Sequence, residues 1–225
     1  MIQHLSEAER WEQGSRLDPM RNEFVIPVLA RLIESVQPAT ILDIGAGTGY
    51  VARGIDERLS FRPAWTLADL NADRLQLAET CRPADMALEC LPGNVFDWPW
   101  EVGRFAAVLI TFTLLEIEDV NRLCGLISDH TTEGALLAVT MPDAWIDVLE
   151  YAGEEPGVIK RYVEGPVEIP KQDKFTGEQY PFRATRIEDL IGRILGAGFA
   201  LIALEHGRVE TQSAFVLAFR RRAWS

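Results

Sequence analysis

The sequence predicts an α/β fold in which a mostly parallel, seven-stranded sheet carries helices on both faces and ends in an antiparallel strand. An apolar run at 41–44 passes through alternating glycines into an amphipathic stretch, which is the order strand, turn, helix. The run 105–110 is almost continuously apolar, as a central parallel strand should be. The last two apolar runs, 199–204 and 214–219, are joined by a short polar turn at 205–212, which predicts antiparallel pairing.

The other elements follow from hydrophobic periodicity and from helix start signals. Three further apolar runs predict strands at 64–68, 86–90 and 134–141. Asn71 precedes a helical pattern as a plausible N-cap, and the stretch 185–188 has the Thr-x-x-Glu spacing of a capping box. The chain length of 225 residues predicts one domain with a substantial core.

The composition excludes several classes of function. The formal net charge of −12 argues against a nucleic-acid partner, because phosphate binding depends on clustered Lys and Arg. No apolar run is long enough for a membrane span, and the N-terminus has no signal-peptide pattern, so we expect a cytoplasmic protein without a membrane partner. The cysteines form no close-spaced pair, which argues against a metal site or a disulfide framework: Cys81, Cys90 and Cys124.

The turn after the first strand carries the most specific pattern in the chain. Its glycines stand at alternate positions: Gly45, Gly47 and Gly49. Asp43 precedes them inside the strand end, where an anion suits ammonium or hydroxyl donors better than a pyrophosphate. Tyr50 occupies the place of the last glycine of the dinucleotide fingerprint. Asp69 ends the next apolar run twenty positions after Gly49, a distance at which an acid can accept both hydroxyls of a ribose.

These residues resemble the class I S-adenosylmethionine-dependent methyltransferases of the small-molecule type. The resemblance covers residues 38–141 and 183–220 and implies a Rossmann-like fold, with S-adenosylmethionine as the cofactor. It implies that the glycine loop wraps the amino-acid end of the cofactor and that Asp69 holds the ribose. The full set of cofactor-binding residues that it implies is Asp43, Gly45, Ala46, Gly47, Gly49, Asp69, Leu70, Asn94, Val95 and Thr111.

Two positions depart from the family pattern or leave a choice open. The family has an acid after the third strand on the adenine amino group, and Asn94 stands there in this chain, with Val95 next to it. The side-chain oxygen of Asn94 can accept the same hydrogen bond without charge, and Asp97 is the alternative. Arg21 precedes a predicted helix, and it is either a surface residue or a ligand of the cofactor carboxylate, as basic N-terminal residues are in related enzymes.

The segment after the fourth strand should face the transferred group, because ligands bind beyond the carboxyl ends of strands in such sheets. It contains Glu116, which can act as a base or hold a cationic substrate. Alternatively, Glu116 belongs to the first turn of the next helix, where a carboxylate suits the helix dipole. No Asn-Pro-Pro-aromatic motif and no Pro-Cys pair stands here, which argues against methylation of bases or glutamine amides.

Residues 1–37 are predicted to form an N-terminal helical extension of the single domain at 1–225. Residues 142–182 interrupt the framework with prolines, glycines and interleaved aromatics, so this segment is either a disordered loop or a lid over the substrate. Its aromatic content favours a lid that carries substrate specificity.

The predicted function is methyl transfer from S-adenosylmethionine to a small-molecule acceptor by in-line displacement at the sulfonium methyl. Two alternatives remain open at this stage: a nicotinamide-dependent oxidoreductase built on the same strand–glycine–helix unit, and a cofactor-binding domain that has lost catalysis and binds a partner. The sequence leaves open the acceptor atom and the oligomeric state.

Overall fold

The computed structural model describes residues 5–101, 104–117, 119–172 and 179–223. Its strands are β1 (Thr40–Ile44), β2 (Ala64–Asp69), β3 (Leu88–Pro92), β4 (Phe105–Thr111), β5 (Thr131–Pro142), β6 (Val167–Gln172), β7 (Gln179–Ala184), β8 (Phe199–Val209) and β9 (Gln212–Arg221). Its α-helices are α1 (Glu7–Arg16), α2 (Ile26–Val36), α3 (Tyr50–Asp56), α4 (Ala72–Thr80), α5 (Val120–His130), α6 (Ala144–Tyr151), α7 (Val158–Glu164) and α8 (Ile187–Gly196).

Seven of these strands form one sheet in the order β3-β2-β1-β4-β5-β9-β8. The last strand, β9, lies between β5 and β8 and runs antiparallel to both, whereas the pairs among β1 to β5 are parallel. The predicted fold class is therefore confirmed: a Rossmann-like, seven-stranded, mostly parallel sheet with an antiparallel last strand. In the part of the chain that the structure describes, no helix is both long and apolar enough to cross a membrane.

The strands divide their side chains between two hydrophobic cores, because successive residues of a strand point to opposite faces. Ile41 on β1 packs into the core beneath α2 and α3, which contribute Leu29 and Ile55. The next residue, Leu42, belongs to the core on the other face, where α5 and α8 pack. Asp43 follows on the first face at the carboxyl end of β1. The alternation thus places a carboxylate at the edge where the glycine loop begins.

The segment after β5 forms a small subdomain with its own core. The helices α6 and α7 pack on the antiparallel pair β6–β7, and the buried side chains Val148, Tyr162, Ile169 and Phe182 fill the space between them. The strand β7 contacts the 3₁₀ turn Leu114–Glu116 that follows β4. The predicted segment 142–182 is regular where it is described, while residues 173–178, which include Phe175, lie outside the described residues.

Several predicted boundaries differ from the structure. The strand predicted at 86–90 is Leu88–Pro92, because Met86 is buried in the turn before it. The strand predicted at 134–141 extends over Thr131–Pro142. The polar turn predicted at 205–212 is wrong: β8 continues to Val209 and β9 starts at Gln212, since the polar residues of β8 lie in an edge strand that faces water.

The predicted capping box at 185–188 is also wrong. Arg186 is the N-cap of α8, and no side chain caps this end of the helix. Thr185 lies one residue too early to cap, and Arg186 instead donates hydrogen bonds of 2.9 and 2.7 Å to the two carboxylate oxygens of Asp189. The N-cap prediction for Asn71 is confirmed, since its side chain accepts hydrogen bonds from the backbone N–H groups of Asp73 and Arg74.

Candidate active site

A cavity of about 560 Å³ opens at the carboxyl ends of β1, β2 and β4. These three strands are parallel neighbours, so their ends meet at one edge of the sheet. The volume lies within the range of small-molecule sites, roughly 300–1,000 Å³. Most of the predicted site residues line it: Arg21, Asp43, Gly45, Ala46, Asp69, Leu70, Asn94, Val95, Thr111 and Glu116. Gly47 and Gly49 belong to the same loop but do not line the cavity.

The glycine loop needs glycine for conformational and steric reasons. Gly45, Gly47 and Gly49 all have positive φ angles, of 72°, 56° and 69°, which L-residues with a Cβ rarely adopt. A Cβ on Gly45 would collide with the side chain of Thr113, and a Cβ on Gly49 would lie 2.7 Å from Leu67 Cδ1. The loop therefore packs closely against β2 and against the turn after β4.

Asp69 ties the glycine loop to the end of β2. Its Oδ2 accepts a 2.7 Å hydrogen bond from the Gly47 N–H, and its Oδ1 accepts a 2.9 Å bond from the Asn71 N–H. Each carboxylate oxygen has a second lone-pair direction, so Asp69 can still accept hydrogen bonds from a ligand in the cavity. Leu70, which follows it, is an apolar side chain with 75% of its surface exposed.

Asp43 is in a different environment from Asp69. It is buried, and burial together with the nearby Asp69 carboxylate raises the pKa of Asp43 to about 8. Its Oδ1 has no hydrogen-bond partner within the described part of the chain. Two other residues that line the cavity also bury a polar atom without a partner, namely Thr111 Oγ1 and Trp98 Nε1. Such atoms are uncommon in native proteins, which indicates a polar ligand at this place.

The end of the cavity near β3 is built by the turn that begins at Asn94. The side-chain oxygen of Asn94 accepts a 3.0 Å hydrogen bond from the Phe96 N–H, so it caps the 3₁₀ turn Val95–Asp97. Asn94 and Val95 line the cavity, whereas Asp97, the alternative adenine ligand, does not. Trp98 lines the same end, a position that no local sequence pattern predicted.

The other end of the cavity is formed by the turn after β4. Phe112 has a φ of +58°, an unusual conformation for an aromatic residue, and the guanidinium carbon of Arg21 lies 5.3 Å from its ring centroid. Arg21 also pairs with Asp18, so it is not a simple surface residue. Glu116 lies in the 3₁₀ turn Leu114–Glu116. Its alternative placement in the first turn of the next helix is wrong, because α5 begins at Val120.

The N-terminal helix α1 closes the cavity from the side, which the sequence reasoning missed. Trp11 and Ser15 line the cavity, and the guanidinium carbon of Arg74 lies 3.9 Å from the centroid of the Trp11 ring. One signal was readable: Ser6 and Glu9 form a capping box that starts α1. Nothing in the local pattern indicated which side of this helix faces the cavity.

A buried carboxylate holds α1 in this position. Glu12 accepts hydrogen bonds from Thr48 Oγ1 at 2.6 Å and from the Arg53 guanidinium at 2.7 Å. Burial works to raise the pKa of Glu12, but the bond from Thr48 and the positive charge of Arg53 outweigh it, so the net shift is downward. The charged form of Glu12 thus links α1 to the glycine loop and to α3.

The geometry fits S-adenosylmethionine better than a dinucleotide. The orphaned Asp43 oxygen suits an ammonium group, Asp69 retains capacity for two ribose hydroxyls, and Tyr50 replaces the last glycine that a pyrophosphate would require. The described residues contain no cluster of His, Cys, Asp and Glu that could hold a metal ion. The fold is thus the one predicted for a class I methyltransferase domain, and the polar atoms of the cavity suit the cofactor of that class.

Comparison with known proteins agrees with this class. Residues 41–134, which contain the glycine loop, Asp69 and the turn at Asn94, match the family model described as a methyltransferase domain. The match covers less than half of the chain and supports a methyltransferase domain, for which S-adenosylmethionine is the expected cofactor. No curated protein sequence matches it significantly.

Solved structures of S-adenosylmethionine-dependent methyltransferases share the fold. One from Methanosarcina mazei has 19% identity and a TM-score of 0.61, and the match covers 81% of this chain and 92% of the other. One from Mesorhizobium loti has 15% identity and a TM-score of 0.62, and the match covers 87% of this chain and 96% of the other. One from Clostridium acetobutylicum has 12% identity and a TM-score of 0.61, and the match covers 99% of this chain and 95% of the other. At these identities the likeness concerns the fold alone.

Proposed function

We propose that this enzyme transfers the methyl group of S-adenosylmethionine to a small-molecule acceptor by in-line displacement. One observation carries the proposal: a single cavity runs from Asn94, past Asp69 and Asp43, to Phe112 and Glu116. The first three residues suit the three parts of the cofactor, and the last two border the remaining space. An acceptor in that space would lie beside the sulfonium methyl.

Each predicted cofactor residue has a role in this proposal. Asp43 accepts a hydrogen bond from the ammonium group, and the loop containing Gly45, Gly47 and Gly49 allows close approach of the methionine part. Asp69 accepts the two ribose hydroxyls. The remaining contacts are the Asn94 oxygen on the adenine amine, the Val95 N–H on the ring, Leu70 and Ala46 as apolar walls, Thr111 beside the sulfonium and Arg21 on the cofactor carboxylate.

Two properties of the chain favour a small acceptor. The cavity is bordered by α1 on one side and by the turn that β7 contacts on the other, which leaves room for a compact molecule. The net charge of −12 disfavours a polyanion such as nucleic acid. In this proposal, the predicted segment 142–182 acts as the lid that excludes water and recognises the acceptor.

The chemistry depends mainly on alignment. The cofactor supplies an electrophilic methyl group on a sulfonium. The protein orients the acceptor in line with the breaking bond and keeps water out, and such positioning contributes roughly 7–11 kcal/mol to lowering a barrier. A base matters only if the acceptor must lose a proton, and Glu116 is the residue placed for that task.

The test is a methyl-transfer assay with a panel of amines, alcohols, phenols, thiols and carboxylic acids. We expect formation of S-adenosylhomocysteine together with a mass gain of one CH₂ unit on at least one acceptor class. If the protein retains S-adenosylmethionine but methylates no member of the panel, the non-catalytic alternative, a cofactor-binding partner domain, is favoured instead.

A further inference from the structure

The carboxylate of Glu116 is available to a ligand at the acceptor end of the cavity. Glu116 lines the cavity, and its side chain is exposed to water there. The surrounding protein still removes part of the water that would solvate a free carboxylate. Within the described residues, no hydrogen bond or ion pair reaches its carboxylate, although its backbone N–H is bonded to Thr113 O at 2.9 Å. The backbone of the turn is therefore held by a hydrogen bond, while the Glu116 carboxylate can still accept hydrogen bonds from a ligand.

Apart from Asp43, whose Oδ1 is buried without a partner at the end of β1, the other charged groups of the cavity have partners. Arg21 pairs with Asp18, and Arg74 pairs with Glu7 and stacks on Trp11. Both oxygens of Asp69 accept backbone hydrogen bonds. The acceptor end thus presents an uncommitted negative charge, whereas its two positive charges have acidic partners.

The electrostatic surroundings also make Glu116 a better base than an ordinary glutamate. Desolvation raises the pKa of Glu116, Arg74 acts in the opposite direction, and Asp69 adds to the increase. A carboxylate with a raised pKa binds a proton more readily than an ordinary glutamate does. It can therefore both attract a cation and take up its proton.

We propose that the acceptor is an amine, which Glu116 holds by its N–H groups and deprotonates for methyl transfer; this rests on the proposed function. A carboxylate acceptor would meet Glu116 as a like charge. A hydroxyl acceptor would gain only one hydrogen bond from it. An amine gains charge-assisted hydrogen bonds from the carboxylate.

The reaction step balances without another reactant. The ammonium form of the acceptor first gives one proton to Glu116, which frees the nitrogen lone pair. The lone pair then forms the new N–C bond while the C–S bond breaks, and the electron pair of that bond remains on sulfur. The products are the methylated ammonium ion and neutral thioether S-adenosylhomocysteine, and the proton on Glu116 passes to water.

The first experiment measures binding without turnover. The protein is saturated with S-adenosylhomocysteine and titrated with three probes of equal skeleton: benzylamine, benzyl alcohol and benzoate. We expect benzylamine to bind at least tenfold more tightly than the other two. Equal binding of all three, tighter binding of benzoate, or no binding of benzylamine would each overturn the inference.

The second experiment links the preference to Glu116. In Glu116→Gln, benzylamine affinity should fall roughly tenfold to a hundredfold, as expected when a hydrogen bond to a charged group is lost. The control is Glu57→Gln, which removes the same charge from an exposed position at the end of α3 and should change nothing.

Cofactor affinity separates the possible failures. It should be equal in the wild type, Glu116→Gln and Glu57→Gln. If Glu116→Gln lowers S-adenosylmethionine affinity as much as benzylamine affinity, Glu116 is a cofactor ligand and the inference is wrong. If the wild type binds the cofactor and methylates only alcohols or acids, the proposed function stands and the amine assignment fails.

Discussion

Asp43 and Asp69 end neighbouring strands on the same edge of the sheet, yet their surroundings give them different properties. Asp69 receives backbone hydrogen bonds on both oxygens, while Asp43 is buried with one oxygen unpaired. A carboxyl group that is desolvated and unpaired favours the neutral form, whereas a ligand ammonium would favour the charged form. A bound ammonium group would therefore shift Asp43 toward its charged form.

The first prediction concerns Asp43 and pH. Its pKa is raised from 3.8 to about 8 in the folded protein, so between these values the folded state binds more protons than the unfolded state. The ligand-free protein therefore loses stability as pH rises through this window. Asp43→Asn removes this cost, and its stability advantage should grow by at most about 4 kcal/mol from pH 5 to pH 8.

Urea unfolding of the ligand-free protein at the two pH values measures this difference. Asp129→Asn, which changes an exposed carboxylate near the end of α5, is the matched control and should show no such trend. A constant difference between Asp43→Asn and the wild type at pH 5 and pH 8 would show that Asp43 is charged throughout.

The sequence predicted the residues whose positions depend on local geometry. The spacing of Asp43, the glycines and Asp69 reflects one strand, one turn, one helix and the parallel strand that follows, so it was readable without the fold. Trp11, Trp98 and Phe112 reach the cavity through packing between segments distant in sequence. No local pattern identifies such residues, because aromatic side chains are usually part of a core.

At the scale of elements, α1 forms one wall of the cavity. Its N-terminus is fixed by the Ser6–Glu9 capping box and its middle by Glu12, which is buried against Thr48 and Arg53. Because Thr48 belongs to the glycine loop, a change at Glu12 affects both the helix and the loop.

The second prediction is that Glu12→Gln loosens α1 and weakens cofactor binding. The change leaves the Arg53 guanidinium buried without its counter-charge, and removing one partner of a buried pair costs about 3–5 kcal/mol. Urea unfolding and amide hydrogen exchange in α1 measure the effect, with the exposed Glu23→Gln as control. Unchanged exchange in Glu12→Gln would show that other contacts hold the helix.

Element boundaries were less predictable than the existence of the elements. The pattern at 205–212 is polar, but an edge strand accepts polar residues on its exposed face, so β8 extends to Val209. The Thr-x-x-Glu pattern at 185–188 failed because α8 starts one residue later than that pattern requires. In both cases the local sequence allowed two boundaries, and the packing of the element in the fold determined which one formed.

At the scale of the whole molecule, the sheet and the subdomain at 142–184 have separate cores. The two cores of the sheet pack on the strands whose carboxyl ends line the cavity, and the third core consists of residues of α6, α7, β6 and β7 with their neighbours. The strands, their mostly parallel arrangement and the antiparallel pairing of the last two were predictable, because helical stretches connect the earlier strands and a short connection joins the last two. The internal structure of the subdomain was not, because its pattern of prolines, glycines and aromatics has no single period.

The third prediction uses this division. Phe182→Ala removes a buried ring from the core of the subdomain, which costs about 3–5 kcal/mol in a well-packed core. We expect acceptor turnover to fall at least tenfold, while calorimetric affinity for S-adenosylmethionine changes less than about twofold. A parallel loss of cofactor affinity would show that the subdomain is part of the cofactor site rather than a lid.

The most direct test of the account is a calorimetric titration of the wild type, Asp69→Asn and Asp97→Asn with S-adenosylmethionine, S-adenosylhomocysteine and NADH. We predict that Asp97→Asn binds each adenosyl ligand with the same affinity as the wild type. Neither protein should bind NADH. Asp69→Asn should bind the adenosyl ligands roughly tenfold to a hundredfold more weakly, because a charged partner of the ribose is lost. Binding of NADH alone, or unchanged affinity in Asp69→Asn, would contradict the account of this site.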